Sequence, residues 1–416
     1  MNGNVTQGYD LVVIGGGAAG YFTALRAKSL NPGLRIVILE RGKEVLEKVR
    51  ISGGGRCNVT HACFDPRDLV KYYPRGQKEL LGPFHRFACG DTMGWFEERG
   101  VPLKIEDDGR VFPVSDSSHS ILDTLEQERK KLGIQLHTSC RVDDFSYHEA
   151  ESHPWRILTA KGSYQTKNLL LTTGSNPRVW DRLAASLEVE IIPPVPSLFT
   201  FHIKDARLQE LAGLSMPHTE ITLEGTNYHT QGPTLITHWG LSGPAVLKLS
   251  AWAARELAAA QYQANIRLNW IGIDQADALE MLQQAKTEHP KKQLGTTPKF
   301  GFPARLWDSI LRHLRVPEQT QWANASTALL QSIAAECTQA SFRIHGKSTF
   351  KEEFVTAGGI DLRQIDFKSF SLKKYPSLYV AGEILNIDAV TGGFNFQAAW
   401  TGGWIAGEAI AGRTDA

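Results

Sequence analysis

The hydrophobic pattern changes character twice along the chain, and each change separates one type of element from another. Near the start, Leu11-Val12-Val13-Ile14 is an unbroken apolar run, the pattern of a strand buried on both faces of a parallel sheet. It leads into Gly15-Gly16-Gly17-Ala18-Ala19-Gly20 and a helix kept slim by Ala18, Ala19 and Ala24, which Asn31-Pro32-Gly33 stops. A second strand spans 35–39. Helices are predicted over 82–99 and over 118–131, where Ile121, Leu122 and Leu125 share a face. Strands are predicted over 134–142 and 165–171. Strands alternating with helices over roughly the first 190 residues predict an α/β, doubly wound domain.

The pattern shifts at Ile191-Ile192-Pro193-Pro194-Val195-Pro196. Its three prolines are expected to prevent ladder pairing and to mark a boundary. Beyond it, Phe199-Thr200-Phe201-His202-Ile203 and Ile221-Thr222-Leu223 alternate as antiparallel strands do. The stretch 274–332 turns helical, with Leu306, Trp307, Ile310, Leu311 and Leu314 on one face. A β pattern returns over 341–356. Leu378-Tyr379-Val380-Ala381-Gly382 then rebuilds a doubly wound strand, and 394–411 reads as a closing helix. The expected organisation is a nucleotide domain over 1–192 and 355–416. It is interrupted by a β-rich piece over 193–272 and 339–354, which itself carries a helical insert over 273–338.

Strand, G-x-G-x-x-G and helix in register point to a bound dinucleotide. Gly15 allows the tight turn, Gly17 lets a pyrophosphate approach the backbone, and Gly20 lets helix and sheet pack closely. The helix start then offers free N–H groups to the phosphates. Glu40, at the end of the second strand, stands about 20 residues on, where an acid holds a ribose hydroxyl. Three further sites favour FAD over NAD. Ser52-Gly53-Gly54-Gly55-Arg56-Cys57-Asn58 is a glycine run with a basic side chain, able to wrap phosphate and ribityl oxygens. Thr172-Thr173-Gly174 at a strand end resembles the A-T-G signature of two-dinucleotide flavoproteins, where the chain crosses close to the cofactor. Tyr379-Val380-Ala381-Gly382-Glu383 ends in an acid for ribityl hydroxyls. It precedes Thr391-Gly392-Gly393-Phe394-Asn395-Phe396, a helix start that can hold negative charge on a reduced flavin.

Composition narrows the classes. With 416 residues, 42% hydrophobic and 21% charged, the chain has the profile of a soluble globular protein of two or three domains. Lys+Arg 45 against Asp+Glu 44 gives a net charge of +1, which does not encourage a nucleic-acid or membrane partner. The polar Met1-Asn2-Gly3-Asn4 start leaves no room for a signal peptide, and a cytoplasmic location is expected. Cys57, Cys63, Cys89, Cys140 and Cys337 form no C-x-x-C pair, so neither a dithiol centre nor a metal site is expected.

The segments DLVVIGGGAAG, ISGGGRCNVTH, THWGLSGPAVLKLS, FVTAGGI and LYVAGEILNIDAVTGGFNFQAAWTGGWIAG resemble the BaiN/RdsA-like family of FAD-dependent oxidoreductases, also described as aminoacetone-oxidase-like flavoproteins. The resemblance covers almost the whole chain. It implies a Rossmann-like FAD domain with an inserted β-barrel that carries a helical subdomain. Carried over residue by residue, Gly15, Gly17, Gly20 and Glu40 would serve the ADP half, and Val142 would meet adenine through its backbone. Ser52, Gly53, Arg56, Cys57 and Asn58 would line the path from pyrophosphate to flavin. Gly382, Glu383, Gly392, Gly393, Phe394 and Asn395 would hold ribityl and isoalloxazine. Ala19, Arg41, Gly54, Thr173 and Gly174 complete the expected cofactor set. Two positions depart from the family pattern: Asn386 stands where Asp is common, and Thr172-Thr173-Gly174-Ser175 replaces A-T-G-G.

The expected function is hydride transfer at the flavin N5 to or from a small organic substrate. The family resemblance covers both reduction of enone-like double bonds and oxidation of small aminoketones. No second G-x-G-x-x-G occurs between 200 and 350, so NADH or NADPH would be a transient donor. His238 is the candidate proton donor. His202 and His345 read as structural, and Cys57 lacks a resolving partner. Two alternatives stay open: a non-enzymatic, redox-sensing or structural flavoprotein, and a flavin enzyme modifying tRNA, which would call for a basic surface.

Overall fold

The computed structural model describes residues 7–348 and 355–413. The Met1-Asn2-Gly3-Asn4 start and residues 349–354 of the returning β stretch lie outside them. The chain forms two compact units, Met1–Pro194 with Thr356–Ala416, and Val195–Val355.

In the first unit, five parallel strands lie in the order Gln135–His137, Ile36–Leu39, Gln7–Ile14, Gly162–Leu171, Leu378–Val380. Their apolar runs are buried on both faces, with Leu11, Val12, Val13, Leu169, Leu170 and Leu171 all at 0% exposure. Two short antiparallel strands, Ser371–Leu372 and Ile365–Asp366, extend one edge. The hairpin Val142–Tyr147 with Trp155–Thr159 runs antiparallel to the first half of Gly162–Leu171.

Small residues set how closely the helices approach. The first helix, Ala18–Leu30, packs along the closing helix, Phe394–Arg413. A Cβ on Gly403 would lie 2.8 Å from the Ala19 carbonyl oxygen, and one on Gly407 would lie 2.9 Å from that of Thr23. Both obstacles are backbone, so neither can move aside. Phe22 fills the rest of the seam, 4.8 Å from Trp95 and 5.1 Å from Trp400.

Three sequence expectations are corrected. The helix over 82–99 is two helices, Gln77–Phe84 and Cys89–Glu97. Pro83 occupies the last turn of the first, and the Asp91 carboxylate accepts from the Ala88 N–H at 2.7 Å to start the second. The strand over 134–142 breaks after His137, because Ser139 takes a φ of +47°. There the Ser139 and Cys140 N–H groups bond the carbonyls of Gly42 and Glu40, tying the bend to the end of the second strand. The proline stretch does not escape pairing: Ile191–Ser197 is a strand, and it pairs with Val355–Ile360. Among the described residues this sheet has two strands, so Ile191–Ser197 is an edge strand, where proline is tolerated.

In the second unit, seven strands are ordered Ala340–Ile344, Ala264–Asn269, Ser215–Leu223, His229–Thr237, Gly240–Ser242, Phe201–His202, Gly346–Lys347. The first and last of these are one stretch of chain with a single residue, His345, between them. That stretch therefore pairs at both ends of the series and closes the sheet into a barrel. Ile221, Ile236, Leu241, Ile266 and Leu268 fill its inside. Between Asn269 and Ala340 lie the helices Gln275–Glu288, Ala304–His313 and Thr327–Gln339. Among the described residues no helix is long and apolar enough to cross a membrane.

Gly403→Ala is expected to destabilise the first unit by about 1–3 kcal/mol, because rigid backbone must shift. Gly412→Ala, where a Cβ meets nothing within 4 Å, is expected to be neutral or to stabilise by up to about 1 kcal/mol. Urea unfolding of the two variants checks the opposite signs.

Candidate functional site

Four parallel strands of the first unit end at Ile14, Leu39, Leu171 and Val380. The residues that follow them form one cluster. In open α/β sheets a ligand sits outside the carboxyl ends of the strands, where strand order reverses. Here the reversal falls between Gln7–Ile14 and Gly162–Leu171.

Each glycine of the first loop has a separate reason. Gly15 has φ +110°, and a Cβ there would collide with the Thr172 carbonyl oxygen. A Cβ on Gly20 would collide with the Gly15 carbonyl oxygen. Gly17, by contrast, faces open space, and it begins the first helix with no side-chain cap and no acid in the first turn. The free N–H groups of that turn are left for an anionic ligand. Glu40 is held from both sides, its carboxylate accepting from Gly16 N–H at 2.8 Å and Gly42 N–H at 2.7 Å. Arg41 beside it is exposed.

The C-terminal part arrives through Ala381, which packs with Ala19 and Ala399. A Cβ on Gly382, whose φ is +79°, would stand 3.4 Å from that of Ala19. Glu383 follows, near Gly174, and its carboxylate is ion-paired with Lys48. Sequence reasoning missed Lys48. It sits in a short helix ahead of the glycine run, and nothing local links it to an acid more than three hundred positions away.

The run from Ser52 to Asn58 is a left-handed loop. Gly53, Gly54 and Gly55 have φ of +57°, +68° and +84°, and Cys57 shares the conformation at +63°. Ser52 donates to the Val49 carbonyl at 3.0 Å. Asn58 joins this loop to the start of the closing helix: its amide donates to the Thr60 carbonyl at 2.9 Å and accepts from Gly393 N–H at 3.0 Å. Gly393 has φ +92° and Gly392 +132°. The Phe394, His61 and Tyr72 rings cluster together, with His61 and Tyr72 stacked on Phe394 at ring-centre distances of 4.5 and 4.2 Å and 5.7 Å from each other. Asn395 turns back to bond both backbone groups of Ala389.

Several candidates have partners within the protein. The Arg56 guanidinium lies over Phe112 and pairs with Glu106 at 2.6 Å and Asp116 at 3.4 Å. Its charge is thereby paired within the protein. The Phe394 ring and the Asn395 amide are likewise engaged in fixing the turn. Cys57 is buried, and burial pushes its thiol up to about 12. Val142 begins a strand, opposite Thr159. His238 belongs to the second unit and is exposed at a hairpin turn. There it lines a cavity of about 510 Å³ together with Thr200, Leu235, Trp239, Ser242 and Ser348.

Whether these residues suit FAD can be judged from the polar atoms they leave unused. Thr173 Oγ1, Ser175 Oγ and Asn386 Oδ1 are buried without a hydrogen-bond partner. A buried polar atom left so costs about 1–3 kcal/mol. Thr173 and Ser175 follow the strand that ends at Leu171, next to the loop before the uncapped helix start, and Asn386 lies past the strand that ends at Val380. A ligand with a pyrophosphate and a polar ring edge supplies what they lack, and FAD fits.

A family model described as the HI0933-like protein Rossmann domain matches residues 9–409. The chain is 28% identical over 408 residues to a ribosomal RNA dihydrouridine synthase of Haemophilus influenzae, covering 95% of this chain and 97% of that one. It is 25% identical to a 3-dehydro-bile acid delta(4,6)-reductase of Clostridium scindens, covering 96% and 98%. Among solved structures, the 3-ketosteroid-delta4-(5alpha)-dehydrogenase of Rhodococcus jostii RHA1 shares the fold, with TM-score 0.53 and 15% identity over 99% of each chain.

Lys48→Met is expected to weaken FAD binding about 5- to 10-fold by removing a cation from the cradle, read by titrating apoprotein with FAD. Iodoacetamide at pH 8 is expected to leave Cys57 unmodified in the folded protein and to label it in urea, as mass spectrometry of the peptides would show.

Strand ends, glycine loops and the returning C-terminal segment agree with the match over 9–409: the chain belongs to the HI0933-like Rossmann family, a family of FAD-dependent oxidoreductases.

Proposed function

We propose that the protein is an FAD-dependent reductase of a carbon–carbon double bond conjugated to a carbonyl in a planar ring. One observation carries this: four strand ends and the start of the closing helix converge on a cradle whose buried hydroxyls and amide lack partners. The relatives over 95% and 96% of the chain support the reaction class, since both names describe adding hydrogen across a double bond. When bound, the flavin supplies hydride transfer at N5.

The chain's own residues bind and orient. The free N–H groups after Gly17 would hold the pyrophosphate. Glu40, fixed by two N–H donors, would present a carboxylate oxygen to the ribose. Glu383 would take the ribityl hydroxyls, and the start of the closing helix would stabilise negative charge on the reduced ring. NADH or NADPH would visit as donor. On the second unit, His238 is the candidate proton donor, in a cavity beside Trp239, whose indole is 55% exposed.

A second substrate reading, a uracil ring within RNA, is favoured by a local feature that the overall charge conceals. Trp239 stacks on His202 with ring centres at 5.8 Å, and partial burial lowers the histidine's pKa, helped by the nearby Lys204 and Lys347 ammonium groups. A flat aromatic shelf flanked by ammonium groups suits a base and its phosphate.

The test is anaerobic reduction of the holoenzyme with NADH and NADPH, followed by reoxidation with a steroid enone, a uridine-containing RNA, a quinone or O₂. Bleaching followed by reoxidation with the enone or the RNA is expected, and the faster of the two decides the substrate. A flavin that neither nucleotide bleaches would favour the redox-sensing alternative.

A further inference from the structure

Arg75 and Asp388 form an ion pair that the site described above does not use. Their side chains are 13% and 0% exposed, they meet on an isolated antiparallel bridge, and the guanidinium fork grips both carboxylate oxygens. A buried ion pair is a poor source of stability, because desolvating two charges offsets most of their attraction. What it supplies instead is geometry, since a planar fork on a carboxylate fixes both distance and orientation.

The neighbouring contacts show what is being oriented. Residues 72–76 hold 387–394 at several further points. Val390 N–H donates to the Tyr72 carbonyl at 3.0 Å, and the Tyr73 hydroxyl donates to the Phe394 carbonyl at 2.6 Å. The Tyr72 ring lies on Phe394 with an interplanar angle of 12°. Ile387 presses on Gly76 so closely that a Cβ there would stand 2.8 Å from it. Asn395 closes the loop back onto Ala389. The stretch so held contains Gly392 and Gly393, whose φ values of +132° and +92° have no side chains to restrain them.

We propose that Arg75 and Asp388 are a positioning pair for the flavin-holding turn. By this inference, which rests on the FAD reading above, the pair sets where the Gly392–Gly393 turn and the start of the closing helix stand relative to the isoalloxazine. Neither side chain need touch the cofactor. The two glycines make the turn soft, and the fork makes it stiff.

The decisive variant replaces the pair by apolar side chains, Arg75→Met with Asp388→Leu, which removes both charges and leaves neither stranded. Its urea midpoint is expected to equal or exceed that of the wild type. FAD affinity is expected to fall about 10-fold, and the visible circular dichroism of bound flavin to weaken. Arg75→Lys keeps the charge but not the fork. It guards against loss of folding in the double variant, and is expected to shift the flavin midpoint potential and weaken the same band. Wild-type affinity, dichroism and potential in these variants would overturn the proposal while leaving the FAD reading intact. Wild-type protein that binds no FAD would instead overturn that reading.

Discussion

Close approach of backbone to backbone, where Ala19, Ala381 and Ala399 meet, is the constraint on which the first unit depends. No side chain there is larger than a methyl group, and Gly20, Gly382 and Gly403 remove even that from the positions around it. The first helix and the closing helix come near enough for the loop after Ile14 and the turn after Val380 to border one space. A larger side chain at any of these points would push against carbonyl groups that sheet and helix bonds already fix. The cradle is therefore a product of packing before it is a product of polar chemistry.

The polar groups nearby fall into two sets. Gln397 is fully buried, and its carbonyl accepts from Thr60 at 2.6 Å and Thr92 at 2.9 Å while its amide donates to Thr401 at 3.1 Å. Thr401 in turn bonds the Phe87 carbonyl at 2.9 Å. This network crosses the unit and is satisfied throughout, as a permanent interior requires. Thr173, Ser175 and Asn386 are half-buried, and the buried side-chain oxygen of each lacks a partner. The unpaired oxygens are groups that a bound ligand could complete.

Much of the architecture was legible because its causes are local. An apolar tetrad before a glycine loop specifies a buried parallel strand, and the 3.6-residue stripe at Leu306, Trp307, Ile310 and Leu311 specifies a packed helix. The errors have equally physical causes. Pro193, Pro194 and Pro196 weigh most against a central strand, and sequence does not reveal that this strand lies at an edge. The break between Phe84 and Cys89 depends on Asp91 capping a new helix, in competition with a periodicity that runs on. Within the site, the glycines and Glu40 were visible because their spacing is short. Lys48 with Glu383, Arg75 with Asp388, and Asn58 with Gly393 were not, since each partner acquires its role only after distant segments meet. For the same reason Arg56 could not be seen to spend its charge on Glu106 and Asp116.

The place of Leu378–Val380 in the sheet carries a consequence for how the protein is made. This strand lies directly beside Gly162–Leu171, yet the ribosome produces it only after the entire barrel and its helices have been synthesised. Domains generally fold as units during synthesis. The inserted unit, contiguous from Val195 to Val355, has all of its own strands before the nucleotide unit has its fifth. Until the C-terminal segment emerges, Gly162–Leu171 has an unpaired edge over Leu169–Leu171. Completion of the cradle is thereby deferred until the segment after the barrel has emerged, and a nascent chain stalled in the barrel would present an apolar strand edge to chaperones.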